Sequence, residues 1–262
     1  MKFIVLTAFV AFNVYGLVRF FRPKRLPPPV LPLPRLYKKI LADSFPYYRQ
    51  LPVRLRGKFE RRVMGFITAK KFISRDHQIK KVTPEMKVLI AASAVQLTFG
   101  LPYIELVHFN RILIYQDDYY SRISRRYHKG ETNPMFGVIV LSWNNFTQGM
   151  FHTDGVNLGL HEMAHALHLE NGIRNAEHSF LSNKALDRWE ELALEKIAVI
   201  RQGNNRFLRD YGGVNYEEFF AVSVEAFFEK PEAFREHLPG LYQAMVDILL
   251  QDPLRLDDLH TK

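Results

Sequence analysis

The chain has no cysteine, which excludes disulfide frameworks, thiolate metal sites and cysteine nucleophiles together. Any metal must be held by His, Asp or Glu. Acidic residues are scarce where the chain begins: eighteen of the 36 Lys and Arg, but three of the 27 Asp and Glu, fall in the first 80 positions. The net charge of +9 therefore belongs to the N-terminal third. A basic segment beside an apolar stretch points to an anionic membrane face, and no direct nucleic-acid binding is expected. Internal repeats are absent. Long apolar runs are absent too, apart from Phe3 to Val18, which Phe20 and Phe21 extend. With 47% hydrophobic and 24% charged residues in 262, the chain suits one well-buried domain or two small ones, not disorder.

About 20 apolar residues span a bilayer, so residues 1–21 are expected to form an uncleaved N-terminal hydrophobic helix, a transmembrane anchor of marginal length. No small-x-small cleavage site precedes Arg19. Arg19, Arg22, Lys24 and Arg25 follow the run against Lys2 before it, which keeps the bulk of the chain in the cytoplasm. A cleaved signal peptide and a buried helix are the alternatives. Six prolines between Pro23 and Pro34 make residues 22–35 a basic, semi-rigid extended linker.

Residues 36–262 read as an α+β domain, mostly helical with a small β-sheet. Apolar residues at three- and four-residue spacing predict helices over Gly57–Ile73, Pro84–Leu97, Gly155–Glu170, Ala185–Arg201, Glu217–Phe228 and Ala233–Gln251. Val107–Tyr115 and Val138–Trp143, rich in β-branched and aromatic residues, predict strands.

The chemistry concentrates in His161-Glu162-Met163-Ala164-His165. Histidines four apart stand about 40° apart around a helix, so both imidazoles reach one ion. A glutamate beside them is placed to deprotonate an attacking water, the arrangement of a zinc hydrolase. Leu158, Leu160, Ala164, Leu167 and Leu169 make this helix largely apolar, which argues against idle surface histidines. A catalytic zinc needs a third protein ligand. The third-histidine position of an HExxHxxGxxH pattern holds Asn171, so the candidates are Glu217, Glu218 and Glu225 on the helix predicted over Glu217–Phe228. Glu218 and Glu225 share a face but lie about 10.5 Å apart along the axis. One of them can touch the ion, and the other suits a carboxylate that orients a ligand histidine.

These residues, together with VLIAA (88–92), ILIY (112–115), IVLSW (139–143), DGVNLGLHEMAHALHLENG (154–172), Trp189-Glu190, EEFFAVSVEAFFEKPE (217–232) and QDPL (251–254), resemble the Mlc titration factor A family of zinc peptidases. More distantly they resemble lethal-factor-type metalloproteases. The resemblance implies a gluzincin-like catalytic domain with Zn²⁺ on His161, His165 and Glu218, Glu162 as general base, and Tyr211, seven residues before Glu218, as oxyanion donor. Glu225 and His168 would then lie around the ligands; the family usually has an acidic residue where His168 stands. The implied substrate is a peptide or protein, with aminopeptidase activity one form of it, and a transcriptional repressor is the implied regulatory partner. Sequestering that repressor without peptidase activity is the competing function, and hydrolysis of a non-peptide amide is a third.

Overall fold

Thr83 opens the most deeply buried helix. Its hydroxyl accepts from Met86 N, Pro84 fills the first turn where an amide has no partner, and Glu85 faces the positive end. Val88, Leu89, Ile90, Ala91 and Ala92 are all fully buried, so this helix is enclosed by protein on every side. The computed structural model describes residues 31–121, 125–152, 154–173, 180–204 and 207–259. Its elements are α1 (Arg35–Ser44), α2 (Pro46–Gln50), α3 (Val53–Ala69), β1 (Lys71–Ser74), α4 (Pro84–Thr98), β2 (Arg111–Tyr115), β3 (Tyr119–Ser121), β4 (Arg126–His128), β5 (Gly130–Asn133) and β6 (Val138–Ser142). Then follow α5 (Trp143–Phe151), α6 (Leu158–Ile173), α7 (Asn183–Arg201), α8 (Tyr216–Glu229), α9 (Pro231–His237) and α10 (Pro239–Leu249).

The architecture is mostly helical with a small mixed sheet, as the sequence predicts. The sheet runs β1-β2-β6-β5; β1, β2 and β6 are parallel, and β5 returns antiparallel at the edge. Strands β3 and β4 form a separate antiparallel pair. All five residues of β6 are buried, which matches its unbroken apolar run. Phe59, fully buried, gathers Phe45, Tyr47 and Phe99 at ring distances of 6.2, 5.9 and 5.4 Å. Trp189 does the same on the other side, with Tyr216 at 5.0 Å and Phe220 at 5.2 Å. The metal-motif helix α6 packs against both α4 and α8.

Three expectations need correction. The helix read over Gly57–Ile73 ends at Ala69, and Lys71–Ser74 pairs in parallel with Arg111–Ile114. There the ladder bonds and the β-branched and aromatic character of Phe72 and Ile73 outweigh helical spacing. The strand read from Val107 begins only at Arg111, because Leu106 turns the chain at a left-handed φ of 47°. The helix read over Ala233–Gln251 is two helices, since Leu238 precedes Pro239 and leaves the α region at φ −136°, ψ 60°. The apolar run of residues 1–21 and most of the 22–35 linker lie outside the described residues. Within the described residues, no helix is long and apolar enough to cross a membrane.

Candidate metal centre

Two asparagine caps fix where the ligand-bearing helices begin. Asn157 Oδ1 accepts from Leu160 N at 3.0 Å and its carbonyl accepts from His161 N at 2.9 Å, so His161 falls in the first turn of α6. Asn215 Oδ1 accepts from Glu218 N at 2.8 Å and starts α8 in the same way. The backbone N–H of Asn157 donates to Glu225 Oε2 at 2.6 Å, which ties the head of α6 to the middle of α8.

The result is a convergence of three ligand atoms. His161 Nε2 lies 3.1 Å from His165 Nε2 and 3.1 Å from Glu218 Oε2, and His165 Nε2 lies 3.4 Å from the same oxygen. Ligand atoms at zinc's usual 2.0–2.1 Å in a tetrahedron stand about 3.3 Å apart. Glu218 Oε2 is buried without a satisfied hydrogen bond although both ring nitrogens are close. The carboxylate oxygen thus meets two ring nitrogens without hydrogen-bonding either, and a buried carboxylate oxygen left so is costly unless a cation meets it. Two imidazole nitrogens and one carboxylate oxygen fit a divalent transition ion, zinc among them. Among the described residues this is the one cluster of its kind.

Glu225 completes the geometry from behind. Its Oε1 accepts from His161 Nδ1 at 2.7 Å and from Arg209 Nη2, which makes Nδ1 the donor and leaves the Nε2 lone pair for an ion. Glu218 and Glu225 thus occupy opposite nitrogens of one imidazole. Burial disfavours the His161 cation, but Glu218 and Glu225 outweigh it and lift its pKa to about 10. Burial opposes the Glu218 charge as well, yet His161 and His165 hold it below the usual carboxylate range. The same field that favours these charges favours a cation.

Glu162 sits beside the cluster, 5% exposed, and burial pushes its pKa up. Tyr211, 48% exposed, rises from the 3₁₀ turn Asp210–Gly213. Its ring lies 6.0 Å from that of His161, and burial, with the Glu218 charge nearby, raises the pKa of its hydroxyl. His168 does not join the group: it packs against the rings of Tyr216 and Phe220 at 5.8 and 5.6 Å, and burial lowers its pKa. Glu217 is exposed on α8 and does not join the cluster. Sequence reasoning missed Arg209, Thr132 and Asn157. Asn157 carried a readable signal as a helix cap, whereas Arg209 comes from an irregular segment with none. The site opens on a cleft of about 490 Å³ lined by Tyr127, Gly130, His161, Glu162, Arg209 and Tyr211 among others.

The family model of the glucose-regulated metallo-peptidase M90 matches residues 24–249. The chain belongs to this family. An uncharacterized protein of Synechocystis sp. is 29% identical over 239 residues, which cover 85% of this chain and 86% of that protein. Mlc titration factor A of Escherichia coli O7:K1 is 32% identical over 183 residues, 62% of this chain and 68% of its own. Its Salmonella arizonae counterpart is 29% identical over 224 residues, 78% and 88% of the two chains. Metallopeptidase-type function follows from M90 membership, and the His-His-Glu group is where this M90 chain can hold an ion.

One further carboxylate reports on the fold around the centre. Glu229 accepts from Gly155 N and Asn157 Nδ2, both at 2.9 Å. Burial, with Glu225 and Asp154 nearby, raises its pKa from 4.5 to about 7, against the two hydrogen bonds; Lys230 bonds the Asp154 carbonyl alongside. The folded state then holds the Glu229 proton more tightly than the unfolded state. Its contribution to stability is complete below the unfolded pKa and is lost as pH rises towards the folded one. From pH 5 to 7.5, wild type is expected to lose about 1–2 kcal/mol relative to Glu229→Gln in urea unfolding. Parallel stability curves would remove the assignment.

Proposed function

We propose that the chain is a zinc-dependent peptidase with a gluzincin-like centre, in which His161, His165 and Glu218 hold the ion, Glu162 is the general base and Tyr211 supports the developing oxyanion. The observation that carries this is the meeting of three ligand atoms at coordination spacing beside a buried glutamate, in an open cleft. Zinc, when bound, supplies the Lewis acid that activates water and polarises the scissile carbonyl. Glu225 keeps His161 in the tautomer that presents Nε2. Glu162 accepts the proton of the attacking water and passes it to the leaving amine nitrogen. Tyr211 donates its hydroxyl proton in a hydrogen bond to the carbonyl oxygen as charge develops there.

The test is zinc content together with hydrolysis of aminoacyl and internally quenched peptides by wild type, before and after chelation. One zinc per chain, and turnover lost on chelation and recovered with zinc, is the expected result; the substrates cleaved separate aminopeptidase from endopeptidase. In the same assay Tyr211→Phe should lose about 100-fold in kcat with zinc retained, the size of a lost oxyanion donor. Full turnover in that variant removes the role. The name of the Mlc titration factor A relatives favours a second reading, capture of a transcriptional repressor. Bound zinc with no cleavage of any peptide would make that the better one.

A further inference from the structure

Strand β5 is one edge of the sheet, with Gly130 opposite Leu141 and Thr132 opposite Ile139 on β6. Side chains alternate along a strand. Glu131 turns away, accepting from Tyr119 Oη at 3.1 Å and Asn133 Nδ2 at 3.0 Å, while positions 130 and 132 face α6. Thr132 Oγ1 lies 2.9 Å from Glu162 Oε2 and 3.0 Å from the Glu162 carbonyl oxygen. The other carboxylate oxygen, Oε1, has no protein donor among the described residues. Gly130 stands directly against it: a Cβ built there would meet Glu162 Oε1 at 2.5 Å and its Cδ and Cγ at 2.8 Å. With Cγ inside that contact, turning the carboxylate cannot relieve it, so the whole side chain would have to shift.

We propose that β5 is the template for the general base: Thr132 holds Glu162 Oε2, and the missing side chain of Gly130 leaves Oε1 room at the cleft. Thr132 and Gly130 are positioning residues, and the proposal rests on the reading of Glu162 given above. Thr132 holds one carboxylate oxygen by a hydrogen bond, and the Gly130 backbone stands close beside the other with no side chain to displace it. An enzyme gains rate from such fixing only if the held group acts in the transition state. The consequence belongs to kcat and not to substrate binding, because neither residue needs to touch the substrate for it.

The experiment compares Thr132→Val, Thr132→Ser, Gly130→Ala and Glu162→Gln in the zinc-loaded full chain, with zinc content and Tm alongside. Thr132→Val is expected to lower kcat about 10-fold, the scale of one lost hydrogen bond to a charged group, with KM and zinc content unchanged. Thr132→Ser should restore it. Gly130→Ala should cost about 100-fold, as a displaced general base does. Placed in the Glu162→Gln background, the same substitutions should cost nothing more, since the group they position is already gone. Equal losses in both backgrounds, zinc loss in the strand variants, or wild-type kcat in Thr132→Val and Gly130→Ala overturn the proposal. Wild-type turnover in Glu162→Gln instead sinks the general-base reading itself. If Glu162→Gln turns over too slowly to measure, the crystal structure of zinc-loaded Gly130→Ala decides. A carboxylate moved off Thr132 supports the template, and an unmoved one overturns it.

Discussion

In the zinc peptidase proposed above, Glu162→Gln should reduce peptide turnover by about 10²- to 10⁴-fold, the range a general base contributes, while zinc remains at one per chain. Zinc is retained because Glu162 is not one of the three residues whose ligand atoms converge. The fold is retained because a glutamine carbonyl can still accept from Thr132 Oγ1, which now bonds Glu162 Oε2 at 2.9 Å. Stability supplies an independent check. Burial raises the Glu162 pKa, so wild type bears a desolvation cost wherever this carboxylate is ionised. A neutral amide of the same shape removes that cost, and Tm should stay level or rise. Metal analysis, steady-state kinetics and a thermal melt measure all three. A variant that cleaves at the wild-type rate would end Glu162's role, and one that loses zinc would make it a ligand.

The second large effect is expected at Glu225, whose carboxylate is 1% exposed and accepts from three groups, two at the head of α6 and one on the segment before α8: His161 Nδ1, Asn157 N and Arg209 Nη2. Glu225→Ala leaves a partly buried guanidinium and a buried backbone N–H without their acceptor. Breaking such a pair from one side costs about 3–5 kcal/mol. It also frees the His161 ring to change tautomer, and loss of a carboxylate that orients a ligand histidine weakens metal binding by about 10- to 100-fold. Glu225→Gln should fail in part as well, because its amide nitrogen cannot accept. Urea unfolding of the metal-free chain and competition with a chromophoric chelator separate the two losses. Wild-type values for Glu225→Gln in both would show that the acceptor count is not what matters.

Helix α6 was legible because its apolar content and four-residue histidine spacing agree, and β6 because a short β-branched run has few other uses. Strand β5 was not. Its sequence, Gly-Glu-Thr-Asn, has no apolar residue, and every position is only partly buried; pairing with β6 makes it a strand, a fact held in another segment. The contacts to Glu162 were hidden with it. Helical spacing put Glu218 and Glu225 on one face without ranking them, because the period of a helix says nothing about what stands across from it. The structure sets the two on opposite sides of the His161 ring, an arrangement that needs the angle between α6 and α8. Lys71–Ser74 went the other way: its local pattern continued a helix, and a partner strand forty residues downstream took it.

The Asn157–Glu225 hydrogen bond has a thermodynamic corollary. It joins the two ligand helices through protein atoms alone, as do the asparagine caps and the packing of α6 on α4 and α8. The three-atom receptor is therefore braced by the protein's own contacts, a different arrangement from small domains that are unfolded until loaded with metal. An ion added to such a receptor deepens the native well by mass action alone, in proportion to its free concentration over its dissociation constant. An ion held there would be a guest in a finished house, and starving the chain of it should silence the proposed site long before it unfolds the fold.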